Sequence, residues 1–165
     1  MNNEKNITVA FTGHRHYDGS ADEQMYALLE ELYRQGFRCF LTGMAWGFDL
    51  AAAEQVIRLK LAYEDVRLVA VEPYEGFRRL FHGEDAARYD SIIAMAARRV
   101  CVGSGAGRES FYARNDYLVE HATYVVAWWN GRRGSGTGYT VKRALREGVR
   151  VENLFRNQLD LFSEL

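Results

Sequence analysis

The chain has 165 residues, 48% hydrophobic and 26% charged, enough for one compact domain over 1–165 that buries roughly 70% of the surface its unfolded form exposes. Its 21 basic and 22 acidic residues leave a formal net charge of −1. That balance lacks the basic field that drives wrapping of nucleic acid, so a small molecule is expected as partner and nucleic acid is not. No stretch approaches the roughly 18 apolar residues of a membrane span, the opening MNNEKN lacks a signal-like run, and Cys39 and Cys101 lie inside apolar runs. The expectation is a soluble cytoplasmic protein with reduced thiols, no metal site and no membrane contact.

In chain order, the apolar run 7–11 predicts a first strand, which empties into Gly13, His14, Arg15 and His16. Ser20-Ala21-Asp22-Glu23 reads as a capping box, followed by Met25, Leu28, Leu29 and Leu32 at helical spacing and a stop at Gly36. A second strand over 38–41 precedes Gly43 and Gly47, then a helix marked by Leu50, Ala53, Ile57 and Leu61. A third strand at 66–71 leads to Gly76 and to a helix carrying Tyr89, Ile92, Ile93 and Ala96. A fourth strand at 100–102 is followed by Gly103, Gly105 and Gly107, which read as a flexible lip, and by a weakly marked helix over 112–122. A fifth strand at 124–128 opens into a loop with Gly131, Gly134, Gly136 and Gly138. The last helix holds Val141, Ala144 and Leu145 and stops at Gly148, and a sixth strand covers 149–154.

Continuous apolarity implies strands covered on both faces, and strict alternation with helices predicts an α/β, Rossmann-like, doubly wound and mostly parallel sheet. Most glycines fall at the carboxyl ends of predicted strands, where such sheets bind ligands, with the deepest crevice expected between the first and fourth strands. The opposite turns are short and plain.

Three groups of residues offer chemistry. Gly13, His14 and Arg15 suit an anion: glycine allows close approach and guanidinium geometry clamps phosphate or carboxylate, whereas surface turn residues are the plainer reading. Between Gly43 and the next helix, Asp49 is either a helix cap or an acceptor for ribose hydroxyls or a base, and Met44 and Trp46 either stack on a base or pack. In NGRRGSGTGYT, Gly136 and Thr137 would open a helix and present amides to a phosphate, although no P-loop lysine follows. Arg114-Asn115 is a further planar clamp or else a solvated helix face. In the terminal tail, Phe155, Leu159, Leu161 and Phe162 would pack on a second copy, making a homo-oligomer, or dock within the chain.

TGHR, GMAWGFDLAAAE, EPY, RNDYLVEHA and GSGTGYTVKRA, in this order, resemble the YpsA-like branch of the SLOG superfamily over nearly the whole chain. The resemblance implies a Rossmann-like domain for a nucleotide or nucleotide-derived ligand, acting as a sensor or regulatory module, with Gly47 and Asp49 matching the glycine and acidic residue of that branch's second motif. The superfamily also holds the Lonely Guy phosphoribohydrolases, whose helix arginine Arg114 matches. At the position of their motif glutamate this chain has Thr140, which cannot act as a carboxylate. Nucleotide N-glycosidic hydrolysis or transfer is therefore an alternative that needs another acid, from Asp49, Glu72 or Asp116. Single-stranded DNA binding, implied by the likeness of GMAWGFD to DNA-processing protein A, ranks third.

Overall fold

In the computed structural model, which describes residues 4–156, six strands form one sheet. They are β1 (Thr8–Gly13), β2 (Cys39–Thr42), β3 (Arg67–Glu72), β4 (Arg98–Cys101), β5 (Tyr124–Trp128) and β6 (Arg150–Asn153). All pairs are parallel and the order is β4-β3-β2-β1-β5-β6. The connections carry α1 (Asp22–Arg34), α2 (Phe48–Ala62), α3 (Gly83–Met95), α4 (Arg108–Glu120) and α5 (Gly136–Arg146).

Apolar residues run continuously along the inner strands because both faces are covered. Val9, Phe11, Phe40, Leu68 and Val126 pack with α1, α2 and α3, while Ala10, Leu41, Val69 and Val125 pack with Leu118 and Val119 of α4 and Ala144 of α5. The edges depart from this rule: Arg98 and Arg99 on β4 and Arg150 on β6 are exposed. Charge on an edge strand discourages pairing with another chain. Among the described residues no helix is long and apolar enough to cross a membrane.

The strand order corrects one expectation. The strand order reverses between β1 and β5, not between the first and fourth strands, because β4 adds outside β3 (Val71 opposite Val100, Glu72 opposite Cys101). The chain must then return across the sheet, and α4 makes that return, packing on β1 and β3 and against α5. The crevice thus opens where β1 and β5 send their chains to opposite faces, with α4 as one wall.

The capping box also fails to form. Ala21 occupies the cap position of α1, and the Ser20 N–H donates to Asp18 Oδ1 at 3.0 Å. Tyr17 substitutes: its hydroxyl accepts the Ala21 N–H at 2.9 Å and donates to Asp22 Oδ1 at 2.6 Å. A half-buried aromatic arriving from the preceding loop thus ties down the start of α1, while Ser20 stays exposed.

Candidate functional site

The loop after β1 is interlocked with the start of α2. Gly13 lines the cleft and leaves room for a core aromatic: a Cβ there would stand 2.3 Å from the Phe48 ring. Gly47 has φ +83°, and a Cβ on it would lie 2.3 Å from the Arg15 carbonyl oxygen. The Phe48 N–H donates to the His14 carbonyl at 3.2 Å, completing the clasp. His14 is buried, contrary to the surface-turn reading. Its Nε2 meets the Asn130 N–H at 3.1 Å and Asn130 Oδ1 at 3.0 Å, and its ring stacks on His16 with centroids 5.0 Å apart. Burial first, and then His16, lower its pKa below the ordinary imidazole value. Arg15 is exposed, its guanidinium carbon 4.2 Å from the centroid of Trp46.

Asp49 lies in the first turn of α2 but does not cap it; Gly47 holds the cap position. The Asp49 side chain folds back instead, and Oδ2 accepts the Ala45 N–H at 3.2 Å. The bend at Gly43 leaves no room for a side chain: a Cβ would fall 2.8 Å from Asp49 Oδ2 and 2.9 Å from Arg114 Nη1. Arg114 is not on a solvated helix face. It is 5% exposed, donates through Nε to Asn115 Oδ1 at 2.9 Å and through Nη1 to the Gly43 carbonyl, and lines the cleft. Asp49 is 6% exposed, and its Oδ1 is buried without a hydrogen-bond partner among the described residues. Burial pushes its carboxyl up to about 6, against the pull of Arg114, the Ala45 N–H and Arg15.

At the start of α5, Ser135 is the cap and accepts the Gly138 N–H at 3.0 Å. The amides of Gly136 and Thr137 are left without intrahelical acceptors at the positive end of the helix dipole, a setting that favours anions. Thr140 is 1% exposed and donates its hydroxyl to the Gly136 carbonyl at 3.0 Å, so it closes the first turn and faces no ligand space. Of the candidate acids, Glu72 is held by Tyr89 and by Arg99 at 2.8 Å, and Asp116 by Arg143 and by Tyr139 at 2.7 Å; Asp49 alone of the three lines the cleft.

The resulting cleft has a volume of about 540 Å³. It brings together Gly13, His14, Arg15, Asp49, Arg114, Asn115, Gly136 and Thr137, while Gly43 and Gly47 shape the bends behind it and the Gly76 loop lies elsewhere. Met44 is fully buried at φ +63° and packs in the core, and Trp46 supports Arg15. Neither lines the cleft. The sequence reading missed Arg108, Phe111 and Tyr112, which line it from α4. With Asn115 they follow helical spacing along one face. That pattern was available, but α4 starts at Arg108, four residues before the expected helix. Phe155 packs on Trp128 at 5.0 Å, within the chain; Leu159, Leu161 and Phe162 lie outside the described residues.

Residues 9–157 match the family model described as the YspA SLOG family. UPF0398 proteins are similar to this chain: one from Staphylococcus epidermidis at 23% identity, covering 80% of this chain and 77% of the relative, and one from Bacillus cereus at 21%, covering 95% and 91%. Among solved structures, DNA processing protein A from Streptococcus pneumoniae superposes with a TM-score of 0.68 at 20% identity, covering 99% of this chain and 55% of that one. The Helicobacter pylori protein of the same name gives 0.64 at 18%, covering 90% and 65%. This chain thus spans roughly half to two thirds of those proteins, and the likeness establishes the fold. The Helicobacter protein has a single-stranded DNA binding mode. That overturns the expectation that nucleic acid is an unlikely partner: net charge is a whole-chain sum, and a near-neutral sum does not describe the field at one cleft. Sheet order, cleft and the match across residues 9–157 lead to one assignment: the chain belongs to the YspA SLOG family.

Proposed function

We propose that this protein binds a nucleotide or nucleotide-derived small molecule in the β1/β5 cleft and serves as a sensor or regulatory module. The observation that carries the reading is Asp49 Oδ1, a buried acceptor without a partner among the described residues, at a cleft that also holds a helix start offering free amides. A buried acceptor left unmade costs about 1–3 kcal/mol, which a ligand hydroxyl or N–H recovers. Phosphate at the Gly136 and Thr137 amides and a hydroxyl at Asp49 are the two ends of a ribose phosphate. The volume of about 540 Å³ suits such a ligand.

Calorimetric titration with nucleoside monophosphates and their deoxy analogues tests this. Saturable binding that weakens in Asp49→Leu and discriminates the sugar hydroxyl supports it; absence of binding by every nucleotide overturns it. A single-stranded oligonucleotide in the same titration addresses the second reading, which the Helicobacter neighbour favours. Chromatography of the monophosphate incubations tests hydrolysis. Released base that disappears in both Arg114→Ala and Asp49→Asn would move the assignment to glycosidic cleavage, with Asp49 as the available acid.

A further inference from the structure

Several arginines away from the cleft are held by carboxylates. Arg78 meets Asp90 at 2.7 Å, Arg99 meets Glu72 at 2.8 Å and Arg38 meets Asp65 at 2.9 Å. Arg15 and Arg108 line the cleft and form no ion pair among the described residues. Arg15 is nevertheless held in place, stacked on Trp46 and 5.9 Å from the Phe111 centroid. Stacking occupies the guanidinium face and leaves its N–H edge available to an anion. Arg108 opens α4 one turn before Phe111, on the same side of the helix. Arg15 and Arg108 are therefore both placed beside Phe111 in the cleft wall.

The α5 helix start lies by Asn115, further along α4. A Cβ on Gly136 would stand 3.7 Å from Asn115 Nδ2, and Tyr139 packs edge-on to Tyr112. From Arg108 to Asn115 the α4 axis rises about 10 Å. The Arg108 and Asn115 positions on α4 are thus separated by roughly two helical turns, with Phe111 and Tyr112 between them. Adjacent phosphates of a pyrophosphate lie too close together to reach both positions.

Resting on the nucleotide reading above, we propose that the cleft takes two phosphoryl groups on opposite sides of one nucleoside. The first sits at the Gly136 and Thr137 amides and the second is clamped by Arg15 and Arg108. A free nucleoside 3′,5′-bisphosphate and one link of a single strand share this chemistry. The ligand class is therefore a nucleotide phosphorylated at both ends, not a 5′-polyphosphate.

The test is calorimetry of the wild type and Arg108→Gln with four probes in adenosine and guanosine forms: 5′-monophosphate, 5′-diphosphate, 3′,5′-bisphosphate, and a 5′-phosphorylated dinucleotide. The bisphosphate is expected to bind at least about tenfold more tightly than the monophosphate, and Arg108→Gln to erase that gain with less than about a twofold effect on the monophosphate. Arg108 is exposed and forms no ion pair among the described residues, so circular dichroism should show the variant folded. Preference of the dinucleotide over the bisphosphate assigns the chemistry to a strand; the reverse assigns it to a free metabolite. Equal affinity for monophosphate and bisphosphate, an equal gain for the diphosphate, or a gain that survives Arg108→Gln overturns the proposal while leaving the nucleotide reading intact. Failure of every probe to bind removes that reading, and this one with it.

Discussion

Asp49 shows how one carboxyl links binding to stability. Its folded pKa of about 6 lies above the ordinary 3.8, so folding takes up a proton between those values. The resulting stabilisation is fully present below the unfolded value and lost as pH rises through the folded one; a shift of this size corresponds to about 3 kcal/mol. Asp49→Asn lacks this titration. Its unfolding free energy relative to wild type should therefore improve by about 3 kcal/mol between roughly pH 4 and pH 7, read from urea midpoints, and a constant difference would show a carboxyl that titrates normally. His14 runs the other way: its lowered pKa makes the folded state lose stability as pH falls through the histidine range. His14→Gln should flatten that acid limb. The glycines belong to packing. Gly13→Ala forces a Cβ against Phe48, an overpacking that costs about 1–3 kcal/mol, and Gly47→Ala adds backbone strain to a collision with the Arg15 carbonyl. Both should lower the thermal midpoint with or without ligand; unchanged midpoints would refute the packing account. A ligand defect in Gly47→Ala consequently reports on folding, whereas Asp49 and Arg108 variants report on the cleft.

At the scale of elements, α5 combines a cap with the proposed phosphate site. Ser135→Ala removes the acceptor for the Gly138 N–H and should cost about 1 kcal/mol, measured by chemical denaturation; an unchanged stability would mean that water replaces the cap. The start of α5 was legible because glycine-rich residues led from an apolar strand into a helical stripe. The start of α4 was not. Its buried side includes Ser110, Arg114 and Asn115, so polar residues interrupt the apolar period that marks a helix in sequence. The same polarity makes α4 a cleft wall. In contrast, α1 buries Met25, Leu29 and Leu32, and its stripe was plain. Its cap was misread because Tyr17, five residues before Asp22, binds the Ala21 N–H and the Asp22 carboxylate, and Ala21, not Ser20, holds the cap position.

For the whole molecule, a near-neutral sum hides unequal arrangement: Arg38, Arg78 and Arg99 are paired with carboxylates, while Arg15 and Arg108 at the cleft form no ion pair among the described residues. A nucleotide that binds the folded state should raise the melting temperature by several degrees at about 100 times its Kd, equivalent to about 2.7 kcal/mol, and added salt should shrink the shift. A midpoint unmoved by every nucleotide would count against binding.

Local pattern alone determined the alternation of strands and helices, the parallel α/β class and the gathering of glycine loops at one end of the sheet, since burial on two faces writes itself into neighbouring residues. Only tertiary structure decided that β4 lies outside β3, that α4 crosses back as a wall, and that Asp49 faces Arg114 across Gly43. Those outcomes depend on contacts between residues far apart in the chain, and nothing in a local period encodes which distant surface a segment will meet.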